Sequence, residues 1–321
     1  MGRHHAGTPR QALLLAAGLG TRLRPLTLAR AKPAIPLAGE PMIRRIVRWL
    51  VSHDVTEIVV NLHHLPETIA AVTGDGTDVG AHVRYSWEQP RILGSAGGPR
   101  QALPLLGADT FWIVNGDTLT DLDLVAMADE HRRSDAMVTV ALVPNRWPTR
   151  YGGIRVEDGR VVGFVPRGSR EPSHHFIGVQ LAQARAFEDV ADGAAASSIG
   201  GIYDEWIRTA PGSIRAFSCE AAFWDIGTPA DYWAASASWA AMGPAVPLAA
   251  SRRPRISGSA RVTASILWDD VEVGADASLT ECIVTDGVSV PAGSAYRRAM
   301  LVRALHHGRA DGLIVSPLDI D

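Results

Sequence analysis

The sequence contains almost no lysine. Of its 31 basic residues, thirty are arginines and only Lys32 is a lysine. Arginine presents a wide planar fork, whereas lysine delivers a compact charge on a thin stem. The single lysine therefore indicates a site that a guanidinium group would not fit. A lysine retained by chance on the surface is the alternative interpretation.

Cysteine, net positive charge and long apolar runs are also scarce. Cys219 and Cys282 lie far apart without metal-ligand spacing, which favours a reduced, cytoplasmic protein. The net charge of −3 provides no electrostatic footprint for nucleic acid. No segment approaches the roughly 18 apolar residues of a membrane helix, and the apolar run before Gly18 is too short for a signal peptide. We therefore expect neither nucleic acid nor a membrane as a partner.

A glycine-rich loop precedes the lysine. An apolar run ends at Leu15 and leads into Ala-Ala-Gly-Leu-Gly-Thr-Arg-Leu-Arg-Pro-Leu-Thr at positions 16–27, before Lys32-Pro33. Glycines let the backbone approach a phosphate closely and turn N–H groups towards it. A dinucleotide fingerprint is excluded because Leu23 replaces its third glycine, and a Walker loop because Gly-Lys-Ser/Thr is missing.

The loop resembles the signature of the sugar-nucleotide pyrophosphorylases (nucleoside-diphosphate-sugar nucleotidylyltransferases), Ala-Gly-x-Gly-Thr-Arg-Leu-x-Pro-Leu-Thr followed by Lys-Pro. The resemblance implies that the loop wraps a nucleoside triphosphate. It implies that Arg22 clamps the departing pyrophosphate, while Lys32 lies near the attacked α-phosphate and the incoming sugar phosphate. The other nucleotide-binding residues that it implies here are Leu15, Ala16, Ala17, Gly18, Gly20 and Thr21.

Strand-like and helix-like patterns alternate along most of the chain. Apolar runs or alternation predict strands at 57–61, 82–86, 111–115, 137–143, 153–156, 161–165, 176–181 and 214–218. Helical periodicity predicts helices at 41–53, 65–72, 98–106, 122–133 and 229–242. This alternation predicts an α/β fold with a Rossmann-like mixed, mostly parallel sheet. The resemblance implies the nucleotidyltransferase version of that fold.

The end of the chain contains an internal repeat. Residues 256–272 align with residues 273–289, and aliphatic side chains recur at steps near six. Such steps are typical of a hexapeptide β-helix, which the resemblance implies to be left-handed. Two coils bury little core alone, so we expect the repeat to pack on the rest of the chain or to form a homo-oligomer. The predicted domains are 1–242 (catalytic), 243–255 (linker) and 256–321 (short β-helix and tail).

Two aspartates are candidate metal ligands. Asp117 follows a buried strand in Asn-Gly-Asp, and Asp225 lies in Phe-Trp-Asp-Ile-Gly-Thr-Pro. The resemblance implies that both hold Mg²⁺, an ion that favours carboxylates together with substrate phosphate oxygens. The alternatives are a turn residue for Asp117 and a helix cap for Asp225, although Thr228 is the better cap candidate.

Base recognition is implied for Leu-Gly-Ser-Ala-Gly-Gly at 93–98, which resembles the Leu-Gly-Thr-Ala-Gly loop of the family. The nucleotide-binding residues implied there are Gly94 and Ser95, with Glu88 upstream. This loop resembles that of mannose-1-phosphate guanylyltransferases most, whereas Ala-Leu-Pro-Leu-Leu-Gly at 102–107 resembles muramic-acid-phosphate uridylyltransferases. Guanine is therefore a preference only.

The sugar side departs from the family pattern. Tyr151-Gly152-Gly153 resembles the family's sugar-facing Tyr-Gly-x element, but Phe-Val-Pro-Arg-Gly at 164–168 replaces Phe-x-Glu-Lys-Pro. Arg167 would bind the sugar phosphate, unless it is an ordinary solvated arginine. Glu171, or the pair His174-His175, would then replace the missing glutamate. The implied sugar-phosphate-binding residues are Gly152, Arg167, Glu171, Phe176 and Gly178.

The implied reaction joins an NTP to a sugar 1-phosphate, giving an NDP-sugar and pyrophosphate. GTP with a mannose- or heptose-type sugar is favoured, and UTP- or dTTP-dependent transfer is the alternative. A regulatory subunit without turnover also remains open. An acyltransferase is disfavoured because the repeat is short and has no histidine between Ile256 and Gly293.

Overall fold

The computed structural model describes residues 7–241, 253–306 and 309–320. The helices of more than one short turn are α1 (Met42–Ser52), α2 (Pro66–Thr73), α3 (Gly94–Leu106), α4 (Leu124–Arg133), α5 (Tyr203–Thr209) and α6 (Pro229–Ala241). The strands before the C-terminal repeat are β1 (Gln11–Leu15), β2 (Pro36–Leu37), β3 (Glu40–Pro41), β4 (Glu57–Leu62), β5 (His82–Trp87), β6 (Thr110–Asn115), β7 (Thr118–Thr120), β8 (Val138–Pro144), β9 (Gly153–Glu157), β10 (Arg160–Val165), β11 (His174–Gln183), β12 (Ile214–Ser218) and β13 (Phe223–Asp225).

Contacts divide the chain into two compact units. The first contains the residues up to Gly18, Ile43–Pro66 and Thr73–Asp225. The second contains Leu19–Met42, Glu67–Val72 and the residues from Ile226 onward. The second unit therefore groups the segment that carries Lys32 with the C-terminal repeat, although the two are far apart in sequence. The predicted domain boundaries follow the chain instead and stay a prediction.

The first unit is built on a nine-stranded sheet with the order β5-β4-β1-β6-β11-β8-β12-β10-β9. The strands from β5 to β6 are all parallel, as the alternation of strand and helix patterns along the chain predicted. Beyond β6, only the β8–β12 pair is parallel, because β11 runs back along both β6 and β8 and β9–β10 is a hairpin. The prediction of a mixed sheet is confirmed, but parallel pairs do not predominate.

The main core cluster of the first unit is built on apolar side chains that project from one face of this sheet. Leu13, Phe111, Val138, Leu142 and Ile214 are all 2% exposed or less. Burial on this scale stabilises the fold by about 1.5–3 kcal/mol for each large side chain. The strands therefore form a rigid base for the turns at their carboxyl ends.

The predicted helices and strands up to residue 241 all occur, with shifted ends. The largest shift is in α3, which begins at Gly94 and not at residue 98. Glycines weaken a helix, so the pattern favoured a loop there. Tertiary contacts hold this first turn: the N–H of Ala96 donates to the carbonyl of Ala196 at 2.9 Å. The end of the predicted helix 229–242 at residue 242 lies outside the described residues.

The C-terminal repeat belongs to the second unit. Its strands are β14 (Arg255–Ile256), β15 (Arg261–Thr263), β16 (Ile266–Leu267), β17 (Glu272–Val273), β18 (Ser278–Thr280), β19 (Ile283–Val284), β20 (Ser289–Val290), β21 (Ala295–Arg297), β22 (Ala299–His306) and β23 (Arg309–Pro317). Parallel stacks β14-β17-β20, β15-β18-β21 and β16-β19-β22 repeat every 17 residues in register.

This arrangement is consistent with a β-helix, and a left-handed coil stays a prediction. A third layer, formed by β20, β21 and β22, extends the two predicted coils. The interior of the stacked layers is filled by apolar side chains, among them Val273, Leu279, Val284, Val290 and Leu301. The antiparallel hairpin β22–β23 ends the stack, in a stretch from Arg297 onward that has no clear pattern in the sequence. Among the described helices of both units, none is long and apolar enough to cross a bilayer.

Candidate active site

The first unit brings the two candidate metal ligands close together in the backbone. β6 ends at Asn115, and β7 begins at Thr118, so Asp117 lies in the turn between these strands. β13 runs antiparallel to β7 and places Asp225 directly opposite Thr118. Asp117 and Asp225 are both half-buried, although they are more than a hundred positions apart in sequence. The backbone therefore brings these two aspartates to the same end of one small two-stranded ribbon.

The donor set of this ribbon fits a metal that is shared with a substrate. No group of three or more histidine, cysteine, aspartate or glutamate side chains is arranged for a metal ion within residues 7–241, 253–306 and 309–320. Two carboxylates would leave most coordination positions to other oxygens. Mg²⁺ has this preference, because it usually binds one or two carboxylates, water and substrate phosphates. Asp117 and Asp225 therefore fit a magnesium ion that a nucleotide completes.

Gly178 sets the position of the Asp117 turn. It has a φ of +80°, and a Cβ there would lie 2.9 Å from both Asn115 Nδ2 and Thr118 Oγ1. The β11–β8 register is irregular between Phe176 and Gln180, which brings Gly178 against the turn. The resemblance implied a sugar contact for Gly178, and its close packing on this turn gives it a structural reason as well.

The loop after β1 begins with two amides that bind a side chain. The N–H groups of Ala16 and Ala17 donate to Oδ1 of Asn61 at 2.5 and 3.2 Å. Leu15 is half-buried at the end of β1, and Gly18 is exposed, with open space where a Cβ would lie. Asn61 therefore shapes the start of the loop, and Gly18 is the first position at which a ligand would have unhindered access to the backbone.

Glu88 is buried beneath this loop. It is 0% exposed; Oε1 accepts from Asn61 Nδ2 at 2.7 Å, and Oε2 accepts from the N–H of Leu93 at 2.7 Å. A Cβ at Gly98 would approach Oε1 to 2.6 Å. Glu88 and Asn61 thus connect the loop after β1 to the start of α3. A direct nucleotide contact of Glu88 stays a prediction.

The small residues at the start of α3 are explained by a neighbouring segment. A Cβ at Gly94 would lie 2.7 Å from the carbonyl oxygen of Ala196, and one at Gly97 would lie 2.3 Å from that of Ala194. Ser95 Oγ lies 2.9 Å from both the N–H and the hydroxyl of Ser198. Larger side chains would displace residues 194–198, so the motif is needed for packing whether or not Gly94 and Ser95 also bind a base.

An aromatic cluster lies beside Asp225 in the first unit. The rings of Tyr151 and His175 stack with centroids 4.0 Å apart, and Phe223 lies 5.0 Å from His175. The guanidinium of Arg150 lies over Tyr151, and Nη2 donates to the carbonyl of Asp225 at 3.3 Å. Burial lowers the pKa of His175 to about 4, and the nearby charge of Arg150 acts in the same direction. His175 is therefore neutral at physiological pH.

The other predicted sugar residues lie in different surroundings. Arg167 and Glu171 are exposed, and Glu171 pairs with Arg155 at 3.4 Å. Phe176 packs against the core of the sheet. Gly152 precedes β9, where its neighbour Gly153 leaves no room for a Cβ beside Ser173. Gly152 does lie at the aromatic cluster, because its backbone makes a hydrogen bond with the His175 side chain. The sugar contacts of all four residues stay predictions.

In the second unit, the rest of the glycine-rich loop folds on itself. Gly20 has a φ of +60°, and a Cβ there would lie 2.8 Å from Thr27 Cγ2. The Thr27 hydroxyl donates to the Gly20 carbonyl at 3.0 Å. Thr21 and Arg22 are exposed at the following turn, whereas Lys32 is 7% exposed. The single lysine is therefore a buried residue and not surface decoration.

Arg22 lies against the segment that follows Asp225 in sequence. A Cβ at Gly227 would lie 3.0 Å from Nη1 of Arg22. Asp231 Oδ2 accepts from the N–H groups of Gly227 and Thr228, and Thr228 Oγ1 accepts from the N–H of Asp231 at 3.2 Å. This capping box confirms Thr228 as the cap of α6, so Asp225 is not its cap.

A family model described as nucleotidyl transferase matches residues 11–241. The chain belongs to the nucleotidyl transferase family. The match covers every candidate residue described above, from Leu15 to Asp231. The prediction that the chain is related to sugar-nucleotide nucleotidylyltransferases is thereby confirmed.

Several relatives of this nucleotidyl transferase carry informative names. It is 27% identical over 299 residues to the mannose-1-phosphate guanylyltransferase of Mycobacterium tuberculosis, covering 89% of this chain and 83% of that protein. It is 46% identical over 116 residues to the N-acetylmuramate alpha-1-phosphate uridylyltransferase of Neisseria meningitidis serogroup B, covering 36% and 50%. The structure of HddC from Yersinia pseudotuberculosis complexed with GMP-PN matches with a TM-score of 0.61 at 25% identity, over 71% of this chain and 99% of that one.

Sequence reasoning on this nucleotidyl transferase missed two groups of residues. The resemblance of Tyr151-Gly152-Gly153 to the sugar-facing element and the weighing of His174-His175 pointed to two members of the aromatic cluster. Nothing in the sequence placed Phe223 beside Tyr151 and His175, because the three residues are far apart in the chain. Asn61 gave no signal, because an asparagine at a strand end is common. Its two backbone partners and its contact with Glu88 depend on the parallel pairing of β1 with β4.

Proposed function

We propose that the chain transfers a nucleotidyl group from an NTP to a sugar 1-phosphate, releasing pyrophosphate and an NDP-sugar. The observation that carries the proposal is the pairing of β7 with β13, which sets Asp225 opposite Thr118 and hence beside the Asp117 turn. Two half-buried carboxylates at one ribbon suit a metal–triphosphate complex. The family match and the names of the relatives support the same reaction class.

The chemistry requires positioning more than proton transfer. An oxygen of the sugar phosphate attacks the α-phosphorus, and the bond from that phosphorus to the bridging oxygen of pyrophosphate breaks. The nucleophile is already anionic near neutral pH, so no general base is needed. Arg22 would hold the departing pyrophosphate, and Lys32 would hold the α-phosphate and the sugar phosphate. A magnesium ion held by Asp117 and Asp225 would supply further charge neutralisation.

We assign GTP and a mannose- or heptose-type sugar 1-phosphate as the preferred substrates, and UTP or dTTP with another sugar 1-phosphate as the alternative. The guanylyltransferase relative aligns with most of the chain, whereas the uridylyltransferase relative is more similar over a shorter stretch. A turnover assay therefore has to identify the NTP and the sugar 1-phosphate and to test the dependence on Mg²⁺.

The test is a pyrophosphate-release screen of GTP, UTP, dTTP, ATP and CTP against a panel of sugar 1-phosphates with and without Mg²⁺. The proposal expects turnover for one pair of substrates, only with the ion. Absence of turnover with every pair, together with measurable nucleotide-sugar binding, would favour the regulatory subunit instead.

Lys32→Arg is the sharper variant for this screen. It preserves the charge but replaces a thin stem with a wide fork at a position that is 7% exposed. We expect kcat to fall by about 10²-fold or more, because a misplaced positioning group costs that much. Full activity of this variant would contradict the interpretation of the single lysine.

A further inference from the structure

Arg30 connects the segment that carries Lys32 to the C-terminal repeat. Its Nε donates to Asp286 Oδ2 at 2.6 Å, and its Nη2 donates to Asp286 Oδ1 at 2.7 Å and to Asp269 Oδ2 at 2.6 Å. Its Nη1 donates to the carbonyl of Ala34 at 3.3 Å. Arg30 is 9% exposed. All three nitrogens of this guanidinium therefore have partners inside the second unit.

The two aspartates occupy equivalent positions in the repeat. Asp269 follows β16 and Asp286 follows β19, 17 residues later, at the carboxyl ends of stacked strands. Asp286 Oδ1 also accepts from the N–H of Asp269 at 3.1 Å, which joins the two layers. The repeat thus presents a pair of carboxylates at a fixed spacing, and the planar fork of Arg30 spans both. A lysine could not make this contact geometry.

The chain on the C-terminal side of Lys32 is also connected to the repeat, through hydrogen bonds of Tyr232. Trp268 Nε1 donates to the hydroxyl of Tyr232 at 2.9 Å, and that hydroxyl donates to the carbonyl of Pro36 at 2.7 Å. Trp268 and Tyr232 are 2% and 0% exposed. Arg30 also lies over the Trp268 ring at 5.7 Å. The segment 30–36 is therefore fixed on both sides of Lys32 by residues that follow position 231.

Such a network is better at fixing geometry than at adding stability. Removing a charged group from water costs several kcal/mol, and buried ion pairs often contribute little net stability. Burial raises the pKa of Asp286 even though Arg30 opposes that change, which reflects this cost. A fork held by two carboxylates and a carbonyl nevertheless has one allowed orientation. Specific placement of the segment is therefore the clearest benefit.

We propose that Arg30, Asp269 and Asp286 are positioning residues that hold Lys32 in place for the reaction, so that the C-terminal repeat is part of the catalytic apparatus. This proposal has two halves. The first half, that the aspartates fix the position of Lys32, concerns the structure alone. The second half, that turnover uses Lys32 in this position, rests on the proposed function.

The single lysine makes the first half directly measurable. An amine-reactive reagent such as an N-hydroxysuccinimide ester labels Lys32 and the N-terminal amine, and peptide mass mapping separates the two. We compare the wild type with Asp286→Asn, which keeps the shape but removes the charge. Asp276→Asn is the matched control, because Asp276 lies on the same repeat but is exposed. Val140→Ala, in the core of the first unit, controls for general loss of stability.

All variants are labelled well below their melting temperatures. We expect Lys32 to react at least about tenfold faster in Asp286→Asn than in the wild type. In both control variants it should react at the wild-type rate. Equal labelling of Asp286→Asn and the wild type would overturn the proposal, whatever the activity of the protein.

The second half is tested by combining variants. Asp286→Asn should lower kcat about 10- to 100-fold in the wild type but leave the residual kcat of Lys32→Ala unchanged, since it acts through Lys32. An equal loss in both backgrounds would indicate a general structural role and overturn this half. The two proposals can also fail separately. If Asp286→Asn labels faster but the wild type releases no pyrophosphate with any substrate pair, the proposed function is refuted and the positioning of Lys32 still holds.

Discussion

The amide of Asn61 has only one orientation that satisfies its neighbours, and this allows a sharp prediction for Glu88→Gln. Asn61 Oδ1 accepts from the N–H groups of Ala16 and Ala17, so Nδ2 must face Glu88 Oε1. In Glu88→Gln, one side-chain oxygen still accepts from Leu93, but the new amide nitrogen faces Asn61 Nδ2. Two donors then oppose each other in a site that is fully buried.

The magnitude follows from the unsatisfied groups. One buried donor without an acceptor costs about 1–3 kcal/mol. We therefore expect Glu88→Gln to lower the free energy of unfolding by about that amount, or the melting temperature by about 2–4 °C for each kcal/mol. Glu188→Gln is the control, because Glu188 is exposed. It should change stability by less than about 0.5 kcal/mol.

Asn61→Asp supplies the decisive combination. Alone, it sets two carboxylates against each other and destabilises strongly. Combined with Glu88→Gln, it gives an aspartate that accepts from Ala16, Ala17 and the new glutamine, and it restores the original charge. Urea unfolding should show the double variant to be more stable than either single variant. A double variant as unstable as the sum of the two would refute the assigned hydrogen-bond pattern.

Two further variants test the site in the first unit. Gly178→Ala should lose more stability and more kcat than Gly168→Ala: both glycines have positive φ, but a Cβ at Gly178 meets Thr118 at 2.9 Å whereas one at Gly168 meets nothing within 4 Å. Equal effects in unfolding and turnover assays would remove the role given to Gly178. For His175, whose pKa burial lowers to about 4, the unfolded chain binds a proton near pH 6.5 that the native state rejects. The free energy of unfolding should therefore fall as pH drops from about 6.5 to about 4, and less so in His175→Gln than in the wild type or His82→Gln; identical pH profiles in urea unfolding would contradict this.

Local sequence patterns were sufficient to predict the elements that position the site. The buried apolar runs identified the strands before Gly18 and Asp117, and the cap residue Thr228 marked the start of α6. The start of α3 at Gly94 could not be read locally, because the glycines there are tolerated only through contacts with residues 194–198. Propensity was overridden by tertiary structure at that point.

Contacts between residues that are far apart in the chain could not be predicted from the sequence patterns. The aligned repeat already placed Asp269 and Asp286 at equivalent positions, but nothing in it pointed to Arg30, which lies more than two hundred residues earlier. The hairpin β22–β23 was missed because β23 pairs antiparallel to the last strand of the parallel stack and has no repeat of its own. The predicted sugar residues Arg167 and Glu171 rested on alignment to a motif that this chain has lost.

The proposed metal–nucleotide site is best tested by pyrophosphate release from Asp117→Asn and Asp225→Asn across a Mg²⁺ titration. Each substitution removes one carboxylate charge at the end of the β7–β13 ribbon and keeps the shape of the side chain. We predict that each lowers kcat by about 10²-fold or more at low Mg²⁺, with melting temperatures close to that of the wild type. Wild-type rates in either variant at every Mg²⁺ concentration would contradict the proposed metal–nucleotide site.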